Sequence, residues 1–177
     1  MRSLKRLQNN MKIPIVDEND NLLYYKEPEE RDAHGEITRS VGIWIKNEKG
    51  EILIAKRSKN KANFPNVWGL SAGGGVDEDE SYEAAIRRET KEEIGIDLEK
   101  IKFGRKERMS DNQEFFNQYF SSQISSDAKF ILQKSEVDEA RWISLEELKT
   151  WYSGSPEEFM PLFDIYLKAI SNYDNKN

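Results

Sequence analysis

Apolar and polar residues alternate in short stretches through much of the chain, with longer stretches in which apolar residues recur three and four apart. KIPIVDENDNLLYY predicts two short strands around a polar turn at Asp17–Asn21. Ser40–Lys46 alternates toward Val41, Ile43 and Ile45, and NEKG turns the chain back into Ile52–Ala55, a hairpin. Arg57–Trp68 is polar, carries Pro65 and predicts a loop; VWGLSA then begins a strand leading into Gly73, Gly74 and Gly75. A helix follows, starting near Asp79–Ser81 and stopping at Gly95. Ile101–Arg108, Phe115–Ser122 and a short stretch at Ala140–Ile143 predict strands that complete a mixed sheet. A capping box at Ser144 and Glu147 opens the first of two closing helices. The second is expected to open at Ser155, Pro156 and Glu158, to bury Phe159, Leu162, Phe163, Tyr166 and Ile170, and to fray over SNYDNKN. This order of elements suits an α/β fold (α+β), an α/β/α sandwich around a mixed β-sheet.

The helix after the glycines breaks its own pattern. Tyr82, Ala85 and Ile86 form an apolar stripe, but the same face continued by three and four residues reaches Glu89, Glu92 and Glu93. Clustered carboxylates repel one another and resist burial, so at neutral pH they need cations or protons. Hard oxygen ligands at this spacing suit Mg²⁺ or Mn²⁺, completed by water and phosphate oxygens. The plain alternative is a solvated face with Arg88 and Glu92 as an i,i+4 pair. The glycines let the backbone take positive φ or come close to a ligand.

Gly74, Glu80, Arg88, Glu89, Glu92, Glu93 and Gly95, followed by apolar Ile96, stand at the spacings of the Nudix box, and the chain resembles the Nudix hydrolases, MutT-like proteins, on these residues. Thr90 departs from the pattern, which usually has an aliphatic residue there. The resemblance covers Lys12–Tyr152, and it implies the Nudix fold and cleavage of a diphosphate bond in a nucleoside diphosphate derivative or similar small diphosphate. Carried over residue by residue, it makes Glu89, Glu92 and Glu93 the ligands of Mg²⁺ or Mn²⁺ and, with Arg88, the catalytic set. Arg88 is expected to orient a neighbouring glutamate, Glu80 and Gly95 to hold the loop and helix, and metal-activated water to attack phosphorus.

AKRSKNKANFPNVWGLSAGGG is similar to the isopentenyl diphosphate isomerase branch, which implies that Arg57 and Lys61 grip the diphosphate beside Gly74. Arg39 is a further candidate. The position aligned with that branch's cysteine holds Gly73, and its metal-site histidines would fall near Thr38 and Gly75, so isomerisation is disfavoured. A non-catalytic sensor of a phosphorylated metabolite is the remaining alternative. Candidate general bases outside the box are Glu114, Glu136 and Glu139. His34, in a polar segment, is assigned no task. Tyr24, Tyr25, Trp44, Phe64, Trp68, Phe115, Phe116 and Tyr119 include enough aromatics to stack a base, although most should be core.

The 177 residues suffice for one domain and are too few for two ordinary ones. Residues 1–11 are assigned to an N-terminal extension and 12–177 to a single domain with C-terminal helices. A net charge of −6 excludes nucleic acid as a general partner but leaves small phosphorylated substrates. The chain has no cysteine, which excludes disulfides and thiolate chemistry. With no signal peptide and no membrane-length apolar run, a cytoplasmic location away from membranes is expected. Oligomeric state is left open, a homodimer included.

Overall fold

The structure, a computed structural model, describes residues 11–111, 113–121 and 124–174. The basic stretch over residues 1–10 and the last expected strand residue, Ser122, lie outside them.

Strand β1 (Ile13–Val16) pairs antiparallel with β2 (Leu22–Lys26) around a turn held by Asp17, whose carboxylate accepts from the Asn19 and Asn21 backbone N–H groups. The main sheet holds β3 (Thr38–Lys46), β4 (Ile52–Arg57), β5 (Trp68–Gly69), β6 (Ala72–Gly75), β7 (Lys102–Met109), β8 (Glu114–Ser121) and β9 (Val137–Ile143). Its order is β5-β4-β3-β8-β7, with β6 on β3 and β9 on β4; the β3–β8 pair is parallel, so the sheet is mixed.

The expected β3–β4 hairpin forms, but its ladder covers Ile45↔Leu53 and Lys46↔Ile52 before the strands part. Ser71 is the wedge. Fully buried, it accepts from the Ile45 N–H at 2.9 Å through Oγ and donates to the Leu53 carbonyl at 2.6 Å, replacing a ladder contact with a side chain. VWGLSA is therefore two short strands, β5 and β6, broken at Leu70–Ser71 rather than one. Beyond the wedge β3 turns to β6 and β4 to β9, and a cleft opens between them.

Helix α1 (Tyr82–Ile94) covers one face, packing Ala85, Ile86 and Ile94 on Val41, Ile43, Ile45 and Leu53. Helices α2 (Leu145–Gly154) and α3 (Phe163–Asp174) cover the other, where Leu148, Phe163 and Ile170 meet Trp44, Ile52, Ile54, Phe116 and Phe120. The alternation along β3 thus feeds two cores. Each large apolar side chain fully buried in them contributes about 1.5–3 kcal/mol.

Two expected boundaries move. Strand β9 begins at Val137, earlier than the Ala140–Ile143 stretch. The last helix begins at Phe163, not at Pro156: Pro156–Glu158 is a single 3₁₀ turn, and Ser155 makes no side-chain cap. Phe159 instead bridges Trp68 in parallel, and the Met160 N–H donates to the Trp68 carbonyl at 2.8 Å. Pro161 favours the extended Met160 this needs. Phe159 still enters the core, from an extended segment rather than a helix face. The helix then runs through Ser171–Asp174, which were expected to fray. Among the described residues no helix is long and apolar enough to cross a membrane.

Candidate active site

Helix α1 starts where expected, with the Ser81 hydroxyl accepting from the Ala84 N–H at 3.1 Å, and ends at Gly95 in the left-handed conformation (φ 75°). Its inward stripe does change from apolar to acidic: Ala85, Ile86, Glu89, Thr90, Glu93 and Ile94 are all buried, and Glu92 is half-buried. Thr90, the departure from the box, is fully buried and returns its hydroxyl to the Ile86 carbonyl.

Arg88 gathers the acidic groups. Its Nε and Nη2 donate to the two oxygens of Glu80 at 2.9 and 2.8 Å, Nη1 donates to Glu89 at 2.8 Å, and Nη2 also reaches the Gly75 carbonyl at 3.0 Å and Asp77 at 3.3 Å. Burial works against its charge, and Glu80, Glu89 and Asp77 outweigh burial, so its pKa is raised. Glu80 also accepts from the Asp77 N–H at 3.1 Å, tying the loop to the helix start.

The glycines serve by having no side chain. They lie in β6, paired extended with β3, and none takes a positive φ, contrary to one expected use. A Cβ on Gly74 would stand 2.3 Å from Glu89 Oε1, and one on Gly73 would stand 2.6 Å from the Val41 carbonyl oxygen. A side chain at position 73 would therefore force β3 and β6 to shift. The Gly73 N–H donates to Glu93 at 3.0 Å.

Glu93 is held well above the usual carboxylate range, first by burial, then by the charges of Glu89 and Glu136, against the Gly73 N–H and Arg57. Glu92 and Glu93 also occupy the last turn of α1, where the helix dipole disfavours anions. Such a face calls for a cation. Among the described residues no group of three or more acidic or imidazole side chains is gathered closely enough to hold an ion alone. The donor set fits Mg²⁺ or Mn²⁺ nonetheless, because Mg²⁺ commonly takes one or two carboxylates and completes its shell with water and substrate phosphate.

The cleft between β3 and β4 has a volume of about 540 Å³. Gly73, Gly74, Gly75 and Glu93 line it together with Arg57, Glu136, Thr38, Ser40 and Glu114, and Leu70, Phe116, Met160 and Tyr166 supply apolar lining. Gly42 lets that lining form, since a Cβ there would stand 2.6 Å from both Leu70 Cδ1 and Phe116 Cζ.

The expected phosphate-gripping residues separate. Arg57 lines the cleft, and its guanidinium donates to the Asn63 and Phe64 carbonyls at 3.2 Å, pairing with no carboxylate among the described residues. Arg39 lines the cleft too, but Nε is 2.6 Å from Asp20 and its charge is engaged there. Lys61 does not line the cleft; its ammonium sits 2.5 Å from Glu136. Of the candidate bases, Glu114 and Glu136 reach the cleft, whereas Glu139 is exposed, opposite Lys56 on β4. Of the aromatics weighed for stacking, only Phe116 is among the lining residues, and His34 is exposed in its loop. The sequence reading missed Arg31, which reaches the cleft from a loop and donates to the Glu36 and Gln113 carbonyls, as well as Met160. Tyr166, expected only as core, forms cleft wall as well. No local pattern marks these residues.

A family model described as the NUDIX domain matches residues 36–163. A Nudix hydrolase of Listeria monocytogenes is 35% identical over 146 residues, 82% of this chain and 84% of that protein. A prenyl-diphosphate phosphatase of Methanosarcina mazei is 32% identical over 152 residues, 84% of this chain and 88% of that one. A crystal structure from Deinococcus radiodurans superposes with a TM-score of 0.69 at 24% identity, covering 81% of this chain and 89% of its own.

Proposed function

The chain belongs to the Nudix hydrolase family, and from that premise we propose that it hydrolyses the diphosphate bond of a small diphosphate ester whose other substituent is largely apolar. The observation that carries the hydrolase reading is the acidic face of α1, with Glu89 and Glu93 buried against the glycine strand and Arg57, which donates to carbonyls and pairs with no carboxylate among the described residues, lining the same cleft.

In this reading Glu89, Glu92 and Glu93 would supply the one or two carboxylates that Mg²⁺ or Mn²⁺ takes, and the ion would neutralise phosphate charge and lower the pKa of a water. Arg57 binds the diphosphate, as a guanidinium matches phosphate oxygens. Gly73–Gly75 bring the backbone close to the ligand with no side chain between. Arg88 keeps Glu89 turned toward the glycines through its 2.8 Å bond and does not itself touch substrate. The Leu70, Phe116, Met160 and Tyr166 wall excludes water and holds the apolar substituent. The archaeal relative is named for a substrate of this kind, a prenyl diphosphate.

The test is a hydrolysis screen of wild type and Glu93→Gln against prenyl diphosphates and nucleoside diphosphate derivatives, with Mg²⁺, Mn²⁺ or chelator, both products read by mass. Metal-dependent turnover lost in the variant is expected, fastest on prenyl diphosphates. Faster turnover of nucleotides would refute the apolar preference; no turnover of any compound would refute the enzyme reading and favour a metabolite sensor.

A further inference from the structure

Glu136 precedes β9 where the β4–β9 ladder slips: Lys56 faces Glu139, but Arg57 faces Val137. Such bulges re-aim side chains at strand ends. The backbone of Glu136 is fixed on both sides, its N–H donating to the Gln133 carbonyl and its carbonyl accepting from the Ser58 N–H, each at 2.8 Å. Its side chain lines the cleft with Glu93 and is only 11% exposed. One oxygen, Oε2, accepts from Lys61 Nζ at 2.5 Å; the other, Oε1, is buried and has no hydrogen-bond partner among the described residues. A buried carboxylate oxygen without a donor is costly and marks a position for water or ligand. The charge of Glu136 also bears on Glu93, in keeping with a place beside the acidic face of α1.

Resting on the hydrolase reading, we propose that Lys61 and Glu136 act as one unit: Lys61 is a positioning residue that turns Glu136 so that Oε1 accepts a hydrogen bond from the attacking water and then takes its proton. The water oxygen forms the new bond to phosphorus. The bridging P–O bond breaks with its electron pair on the leaving oxygen, and the released proton resides on Glu136. Lys61 then stands behind the carboxylate and does not grip phosphate.

The two roles for Lys61 differ in what they move. Lys61→Met, Lys61→Arg, Glu136→Gln and the double variant Lys61→Met/Glu136→Gln are compared for kcat and KM on a diphosphate that the wild type hydrolyses, and for calorimetric Kd of inorganic pyrophosphate with Mg²⁺. Glu136→Gln is expected to lower kcat by about 10²–10⁴-fold with Kd unchanged. Lys61→Met should lower kcat about tenfold or more with Kd unchanged, Lys61→Arg should restore most of the rate, and the double variant should be no slower than Glu136→Gln, because residues acting as a unit are non-additive. A weaker Kd with intact kcat in Lys61→Met, multiplicative losses, or a wild-type rate in Glu136→Gln would overturn the proposal while wild-type turnover keeps the hydrolase reading. Absence of wild-type turnover would remove both.

Discussion

Alanine at Gly73 and at Gly74 should separate stability from activity, although the two residues are adjacent. At Gly73 the new Cβ meets backbone, the Val41 oxygen at 2.6 Å and Gly42 Cα at 3.1 Å, within the ladder that pairs Gly42 with Gly73. Relief requires β3 and β6 to move apart, at an overpacking cost of about 1–3 kcal/mol plus about 1 kcal/mol for each ladder bond weakened. A total near 3 kcal/mol corresponds to a fall in Tm of roughly 6–12 °C for a chain of this size. At Gly74 the Cβ meets the end of a side chain, Glu89 Oε1 at 2.3 Å, and ordinary contact begins at 3.4 Å, so the carboxylate must retreat by about 1 Å. That movement loosens the 2.8 Å Arg88–Glu89 bond, and the loss is partly offset by about 0.4–1 kcal/mol from the stiffer unfolded chain. Net destabilisation should stay near 1 kcal/mol, about 2–4 °C, while a ligand misplaced by about 1 Å can cost about 10²-fold in rate. Calorimetric melting and steady-state hydrolysis with Mg²⁺ measure both effects. A larger fall in Tm for Gly74→Ala than for Gly73→Ala, or an unchanged kcat in Gly74→Ala, would refute the reasoning.

Arg88→Met leaves Glu80, Glu89 and Asp77 without their shared cation and should lower stability by about 3 kcal/mol or more, seen as a fall in Tm that a shift of under 2 °C would contradict. Glu36 is depressed to about 2 by Lys26, Tyr24 and the Asp32 N–H. A depressed carboxylate stabilises the fold above its unfolded pKa and loses that contribution as pH falls through its folded value. Stability should therefore drop between about pH 4.5 and 2, and unfolding curves of Glu36→Gln should be flatter over that window; identical slopes would contradict the assignment. Gly42→Ala should push Leu70 and Phe116 into the cleft and raise KM for diphosphates with a bulky apolar substituent more than for inorganic pyrophosphate, checked by steady-state kinetics.

How far each feature was legible depended on the range of the interaction behind it. Ser81, Gly95 and the Ser144–Glu147 capping box were readable because caps join residues a few positions apart. The acidic stripe on α1 was readable for the same reason. The placement of Lys61 was not legible because the carboxylate that accepts from it is 75 residues away, and charge alone does not tell a phosphate grip from an ion pair. Arg39 was drawn off by Asp20 in the same manner. The start of α3 moved because Phe159 pairs with β5, a contact that local helix signals do not encode.

The sequence by itself determined the order of strands and helices and the carboxylates Glu89, Glu92 and Glu93 with Arg88 among them, since periodicity and i,i+3 and i,i+4 neighbours are properties of a single element. Only the tertiary structure decided where the cleft opens, what lines it and which charges remain available to a ligand. Those follow from Ser71 parting β3 from β4, from Glu136 being re-aimed at the slipped end of the β4–β9 ladder, and from the Met160–Tyr166 segment closing over Phe116. Each is a meeting of residues far apart in the chain, set by packing and hydrogen-bond satisfaction across the whole sheet, which no local pattern records.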